Sequence, residues 1–202
     1  MSEANPDLTA VHPLTPDRMA DLDTVFRARG CSVAKGCYCM YYRIEGKPDF
    51  GHGEARGARY RKQMAALAKG DVAPGLLGYI GDEPVGWVSL GPREDFKRLA
   101  RSKVMAAVDA KPVWSIICFV VPSAHRRRGV AHELLRAAIE FARSHGATLV
   151  EGYPVDREVP GAPDAPWFGS CSMFEKAGFR EVARYRPARA IVRKAIGRRG
   201  SR

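Results

Sequence analysis

No apolar run in this 202-residue sequence can cross a membrane. The longest, Ile-Ile-Cys-Phe-Val-Val (116–121), falls far short of the about 20 residues that a spanning helix needs. The opening MSEANPDLTAVHPL lacks the basic-then-apolar layout of a secretory leader. Cysteine is scarce and odd in number (Cys31, Cys37, Cys39, Cys118, Cys171), which argues against a disulfide framework. These absences lead us to expect a cytoplasmic protein with reduced thiols and no membrane partner. Internal repeats are absent, and no shift in composition marks a second domain. Acidic residues are outnumbered 22 to 33, giving a net charge of +11. Most of that excess sits at the end: Arg180 to Arg202 carries nine basic residues against Glu181 alone, leaving +3 for the first 179 residues. Such a tail reads as a solvated end rather than a nucleic-acid arm, so no nucleic-acid partner is expected. Apolar residues make up 46%, enough for a packed core.

AVHPLTPDRMADLDTVFRARG reads as a short strand, then Thr15 as N-cap with Pro16 at the first helical position, then an amphipathic helix to Gly30. CSVAKGCYCMYYRIEGKPDFGHG, with its glycines and proline, reads as irregular. Helix is predicted from Glu54 to Ala68, with Tyr60, Met64, Ala65 and Leu67 facing inward. LLGYIGDEPVGWVSL is a hairpin turning through Gly81-Asp82-Glu83-Pro84, and GPREDFKRLARSKVMAAVDA a loosely helical crossover. VWSIICFVV, between Pro112 and Pro122, fits a strand buried on both faces. Leu134, Leu135, Ala138, Ile139 and Ala142 then follow at helical spacing, before the strand ATLVEGYPV. DREVPGAPDAPW reads as a loop too polar to pack, FGSCSMFEKAGF as a short helix, and FREVARY and RAIVRKAI as closing strands.

The chemistry concentrates in VVPSAHRRRGVAHELL. A buried strand stops at Pro122, a tight turn follows, and a helix starts near Gly129. The first-turn N–H groups of a helix have no partner within it, and with the helix dipole they make an anion site. Gly129 lets backbone approach an oxygen without a Cβ, Ala131 keeps the next turn thin, and the three arginines add charge-assisted hydrogen bonds. A basic loop before a surface helix is the other reading of the arginines. Strand, turn, glycine and small residue in that order favour phosphate.

Arg126-Arg127-Arg128-Gly129-Val130-Ala131 resembles the R/Q-x-x-G-x-G/A signature of the GCN5-related N-acetyltransferase (GNAT) family. The leading strand, the amphipathic helix, the carboxylate-bearing LVEGYP strand and the late MFEKAGF segment follow in that family's order, over roughly residues 9 to 195. The resemblance implies an α/β (α+β) fold: a twisted, mostly antiparallel mixed sheet of about seven strands with splayed central strands, flanked by about four helices. One domain would then take residues 1–195, with 196–202 as a frayed basic tail. The implied co-substrate is acetyl-CoA. Cys118, Phe119 and Val120 would pair with its pantetheine arm, Arg126 to Ala131 would hold its pyrophosphate, and the His132 N–H would join them. The side chains of Cys118 and His132 read as core and as solvated helix surface respectively.

Transfer to an amine needs a base and an acid. Glu151 matches the family's strand glutamate; a lone carboxylate in an apolar strand has a raised pKa, although an outward-facing Glu is the equal alternative. The acid departs from the pattern, because Phe174 stands where many relatives carry tyrosine at the cofactor site. Ser170, Ser172, Cys171 and Tyr153 are nearby substitutes, and water is another. Cys31, Cys37 and Cys39 invite a zinc reading, but C-x-C without a second pair, and with His52 as its nearest histidine, leads us to expect no metal. Tyr41, Tyr42, Arg43, Trp87 and Arg93 fall on the implied acceptor side, and the long loop from Asp156 to Trp167 is a candidate cover. The expected enzyme is a cytoplasmic N-acetyltransferase acting on a small-molecule primary amine in a ternary complex, with dimerisation common among relatives. The rivals are a protein or peptide N-acetyltransferase and a non-catalytic acyl-CoA sensor. A nucleic-acid module explains the arginines but not the strand, Gly129 and helix around them.

Overall fold

The apolar run between the two prolines forms β4 (Trp114–Val120), buried along nearly its whole length at the middle of one sheet. The computed structural model describes residues 8–46, 54–163 and 165–197. Its elements run β1 (Ala10–Pro13), α1 (Met19–Arg27), α2 (Ser32–Cys37), α3 (Glu54–Leu67), β2 (Gly75–Ile80) and β3 (Glu83–Pro92). After β4 come α4 (Val130–Ser144), β5 (Leu149–Gly152), α5 (Cys171–Lys176), β6 (Arg180–Arg186) and β7 (Arg189–Ala195). The described strands lie in the order β1-β2-β3-β4-β5-β7-β6. Only β4 and β5 are parallel, joined through α4 as a parallel pair requires; every other neighbour is antiparallel.

That parallel pair is short. Trp114, Ser115 and Ile116 face Val150, Glu151 and Gly152, and there β5 ends while β4 continues to Val120. From Ile117 onward the edge of β4 that faced β5 has no described strand beside it. A bulge against β3 between Ser89 and Leu90 twists the same stretch further. The central strands therefore part, as the resemblance implied.

α4 covers one sheet face. Leu134, Leu135, Ala138, Ile139 and Ala142 are buried at the predicted spacing, against Val88, Ile116, Val150 and Val192. On the other face α1, α2 and α3 pack around Phe26, Met64, Leu77 and Trp87. A third cluster gathers Phe96, Ile117, Tyr153, Phe168 and Ile191 beneath the long loop.

Four readings of the sequence are corrected. The stretch after Cys31 holds a helical turn and a half, α2, rather than irregular chain. On α3 and the residue just after it the inward stripe is Tyr60, Met64 and Ala68, at strict i+4 steps, and Leu67 is exposed. The hairpin turns on Gly81-Asp82, with Glu83 and Pro84 already paired. Within the loop read as too polar to pack, Ala165 is buried and Ala162 packs on the third cluster. Ordered packing also extends into the expected tail: Ile196 is buried and its N–H donates to the Thr148 carbonyl at 2.8 Å.

Gly152, the last residue of β5, lies under the ring of Phe174, where a Cβ would overlap the ring edge. Both are buried, so neither can move into water. We expect Gly152→Ala to destabilise the fold by about 1–3 kcal/mol in urea denaturation, and Phe174→Leu in the same chain to recover part of that loss.

Candidate functional site

Where β4 parts from β5, a groove of about 990 Å³ opens. Its floor is Ile117 to Val121; one wall is the α2 edge from Gly30 to Cys37, and the other is Trp167, Phe168 and Gly169. The loop 125–132 closes one end, and Tyr41 and Tyr42 stand at the far end.

The loop is shaped by backbone. After Pro122 a single 3-10 turn spans Ser123–His125, then Arg127 (φ 58°) and Gly129 (φ 80°) take left-handed conformations. Glycine tolerates that region and arginine does so at a cost, so the chain is held there by its surroundings. α4 starts at the next residue. The Gly129 carbonyl accepts the N–H groups of His132 and Glu133 at 2.9 and 3.1 Å. Val130 and Ala131, in the first turn, precede any intrahelical acceptor, so their N–H groups and the positive helix end meet at the groove.

The arginines divide their work. Arg126 donates to the Val121 carbonyl through Nε (3.0 Å) and to the Gly30 carbonyl through Nη2 (2.7 Å), buckling the loop to the α1–α2 connection. Arg127 lines the groove. Arg128 is exposed and is not among the residues lining it. His132, read as a solvated side chain, is half-buried on the groove wall; its Nε2 and the Nδ1 of His125 are sealed from solvent with no hydrogen-bond partner among the described residues. Sealed in this way, neither nitrogen faces the open groove, which meets other atoms of the two rings.

Further along, Cys37, Cys39 and Cys118 line the groove, and Cys39 shares hydrogen bonds with both neighbours. The left-handed pair Tyr38 and Cys39 (φ 43° and 52°) turns this stretch inward, and Tyr38 is anchored by its hydroxyl donating to Asp23 at 2.8 Å. The hydrogen bond with Cys118, ahead of burial, holds the Cys39 thiol well above its ordinary value, and the bond with Cys39, then burial, does the same for Cys37. Neutral thiols are poor nucleophiles and poor ligands. Among the described residues no trio of His, Cys, Asp or Glu is arranged to hold a metal, and His52 lies outside them.

Several predicted site residues are elsewhere. Glu151 is fully buried and is not a lone carboxylate: Arg93 Nη1 donates to Oε1 at 2.8 Å, Arg193 Nε to Oε2 at 2.7 Å, and the Tyr153 hydroxyl to Oε1 at 2.6 Å. None of Glu151, Arg93 and Tyr153 is among the described residues lining the groove. Glu151 is thus a paired structural carboxylate set apart from the groove, not the lone carboxylate that the sequence suggested, and Arg93 serves this network rather than an acceptor. Trp87 is core, fully buried, with Nε1 donating to Cys39 Sγ at 3.3 Å. Arg43 is buried too, donating to the carbonyls of Pro74 and Leu90. Phe174 sits beneath the floor, edge-on to Phe119 and Phe179, while Met173 reaches the groove. Ser170 caps α5, accepting the Met173 N–H at 3.2 Å, and Ser172 pairs with it. Trp167, at the end of the loop read as a candidate cover, does line the groove; residues that sequence reasoning missed are Val33 and Ala34 on α2, which form groove wall, and Phe168.

A sequence model described as the acetyltransferase (GNAT) family matches residues 39–159, more than half of the chain. The chain belongs to that family. No curated protein matches its sequence. Among solved structures, the GNAT domain of S. lividans PAT is 18% identical, with 92% of this chain and 89% of that one covered at a TM-score of 0.53. The PaiA N-acetyltransferase of Thermoplasma acidophilum, solved in complex with coenzyme A, is 12% identical over 93% and 98% of the two chains, with a TM-score of 0.51. The polyamine N-acetyltransferase of Drosophila melanogaster, which forms N-acetylagmatine, is 12% identical over 93% and 99%, with a TM-score of 0.55. At these identities the likeness is one of fold, and the GNAT architecture is shared throughout.

Proposed function

We propose that this chain moves the acetyl group of acetyl-CoA to the primary amine of a small molecule, by direct attack with both substrates held together. One observation carries the reading: an anion site at Gly129 opens into a groove that runs along the unpaired edge of β4. The residues suit the donor. The N–H groups of Val130 and Ala131, with Arg127, fit a pyrophosphate. The β4 edge beyond Ile116 offers backbone donors and acceptors to the amides of a pantetheine arm.

Acetyl-CoA, when bound, supplies an activated acyl group. The chain contributes position: β4 and the loop fix the donor, while Tyr41, Tyr42 and Phe168 enclose the space in which the acceptor meets it. Holding two reactants together in this way supplies much of the acceleration in such transfers. Direct attack is favoured over an acetyl-enzyme at Cys37 or Cys39 because burial and mutual hydrogen bonding keep those two thiols protonated. The likeness to a structure holding coenzyme A supports the donor, and the likeness to an enzyme forming N-acetylagmatine supports a small amine acceptor. A cytoplasmic setting belongs to the same proposal.

The test is calorimetric titration with CoA, followed by turnover of acetyl-CoA against a panel of small amines and peptides, read as free thiol. Saturable binding and thiol release with a small amine are expected. Release with peptides alone would move the acceptor to that class, and binding without release on any amine would make the chain an acyl-CoA sensor.

A further inference from the structure

Acyl transfer from a thioester expels a thiolate, and none of the groups assigned above meets that charge. Phenols are the strongest neutral donors available. Tyr38 gives its hydroxyl to Asp23, Tyr79 to Asp21, Tyr153 to Glu151 and Tyr185 to the Ala107 carbonyl. Two tyrosines line the groove. Tyr41 is exposed beneath the Arg98 guanidinium, which lies 4.5 Å from its ring. Tyr42 differs: it is half-buried, and its hydroxyl has no hydrogen-bond partner among the described residues. Its oxygen is not among the polar atoms sealed from solvent, so water in the groove can serve it until a ligand takes that place. A phenol that opens on a groove without a protein partner is placed for a ligand.

Its position is specific. The Tyr42 ring stands edge-on to Phe168 at 6.1 Å and packs with Cys118 on the cluster that holds Ile117. This is where β4 has just left β5, four residues and about 13 Å along the strand from Val121 and the anion loop, at about 3.3 Å per residue. Across from it the Arg189 guanidinium lies 3.9 Å from the centre of the Phe168 ring, adding positive potential where an anion would form. Burial pushes the Tyr42 hydroxyl up to about 12, with Arg189 pulling the other way, so it stays protonated at neutral pH.

We propose that Tyr42 is a catalytic residue whose hydroxyl donates a hydrogen bond to the departing CoA sulfur. The assignment rests on the acetyl-CoA reading of the groove. The amine lone pair forms the new C–N bond at the acetyl carbon, and the adduct then breaks its C–S bond, leaving the electron pair on sulfur beneath the Tyr42 O–H. The proton lost by the amine nitrogen reaches sulfur through solvent, and nothing is oxidised or reduced. A phenol at about 12 does not surrender its proton to a thiolate whose acid ionises near about 8.5. The contribution is stabilisation of the leaving group, and it is present whenever CoA is bound.

That gives a test needing no acceptor. CoA carrying carbon-13 beside its thiol is bound to the full-length chain and its resonance followed against pH. The bound thiol should ionise about one unit lower in the native chain than in Tyr42→Phe, a tenfold stronger acid, with Tyr185→Phe, an exposed phenol outside the groove, matching the native chain. Tyr42→Phe removes only a hydroxyl that no described residue uses, so the variant is expected to fold. Equal titrations in the native chain and Tyr42→Phe, both holding CoA, overturn the assignment of Tyr42 alone. If the native chain holds no CoA, the donor reading falls with it.

Discussion

Glu151→Gln is expected to cost about 3–5 kcal/mol of folding stability while leaving turnover per folded molecule unchanged. The carboxylate is fully buried and both oxygens are taken, Oε1 by Arg93 and Tyr153 and Oε2 by Arg193. An amide keeps the shape but offers one acceptor oxygen, and it turns an N–H₂ toward a guanidinium. Arg193 retains Asp109 at 2.8 Å, whereas Arg93 is left with neutral partners alone, the Tyr153 hydroxyl and backbone carbonyls such as that of Met105. The penalty is that of a buried cation stripped of its counter-charge. Removing that cation together with the carboxylate, as in Glu151→Leu with Arg93→Met, should recover most of the loss, since an apolar replacement of a buried pair is often neutral. Urea denaturation reads the first effect, and steady-state rates normalised to folded protein read the second. A fall in turnover by about 10²–10⁴ at intact stability would restore Glu151 as a general base and sink this account.

The contrast between Glu151 and the Gly129 loop shows which information is local. Pro122, Gly129 and the leucines of α4 lie within a few residues of one another, so strand end, turn and helix start are written in one short segment. The environment of Glu151 is not: Arg93 and Arg193 stand 58 and 42 residues away in the chain. Nothing in LVEGYP shows that two guanidiniums converge on it. Trp87 fails for a related reason. β3 is buried on both faces over most of its length, so alternation cannot say which face meets a groove. α2 escaped notice because six residues containing Gly36 are too few to show a helical period. The register of a longer helix, α4, was legible in full, and its hydrophobic stripe placed the sheet face it covers. Tyr42 was visible only as one aromatic among several. Its unpartnered hydroxyl and its place beside Cys118 belong to the folded chain.

Gly129→Val should weaken CoA binding by about 100-fold or more, the largest binding effect of any single change proposed here. At φ 80° a β-branched residue is strongly disfavoured, so the loop has two options. If it keeps its path, the strain appears as lost stability of about 1–2 kcal/mol or more, and CoA still finds its donors. If Gly129 relaxes toward negative φ, the Val130 and Ala131 N–H groups swing away from the groove and the anion site is lost. The second outcome is expected. Among the described residues, two hydrogen bonds, those of the His132 and Glu133 N–H groups to the Gly129 carbonyl, hold its carbonyl side, while α4 is secured independently by Leu134, Leu135 and Ala138. Calorimetry with CoA and thermal unfolding of the same sample separate the two. A loss of about 2.7 kcal/mol in binding with only a modest fall in melting temperature supports the anion cradle. CoA bound as tightly by Gly129→Val as by the native chain would remove the backbone of this loop from the site, leaving Arg127 to hold the phosphates by its side chain.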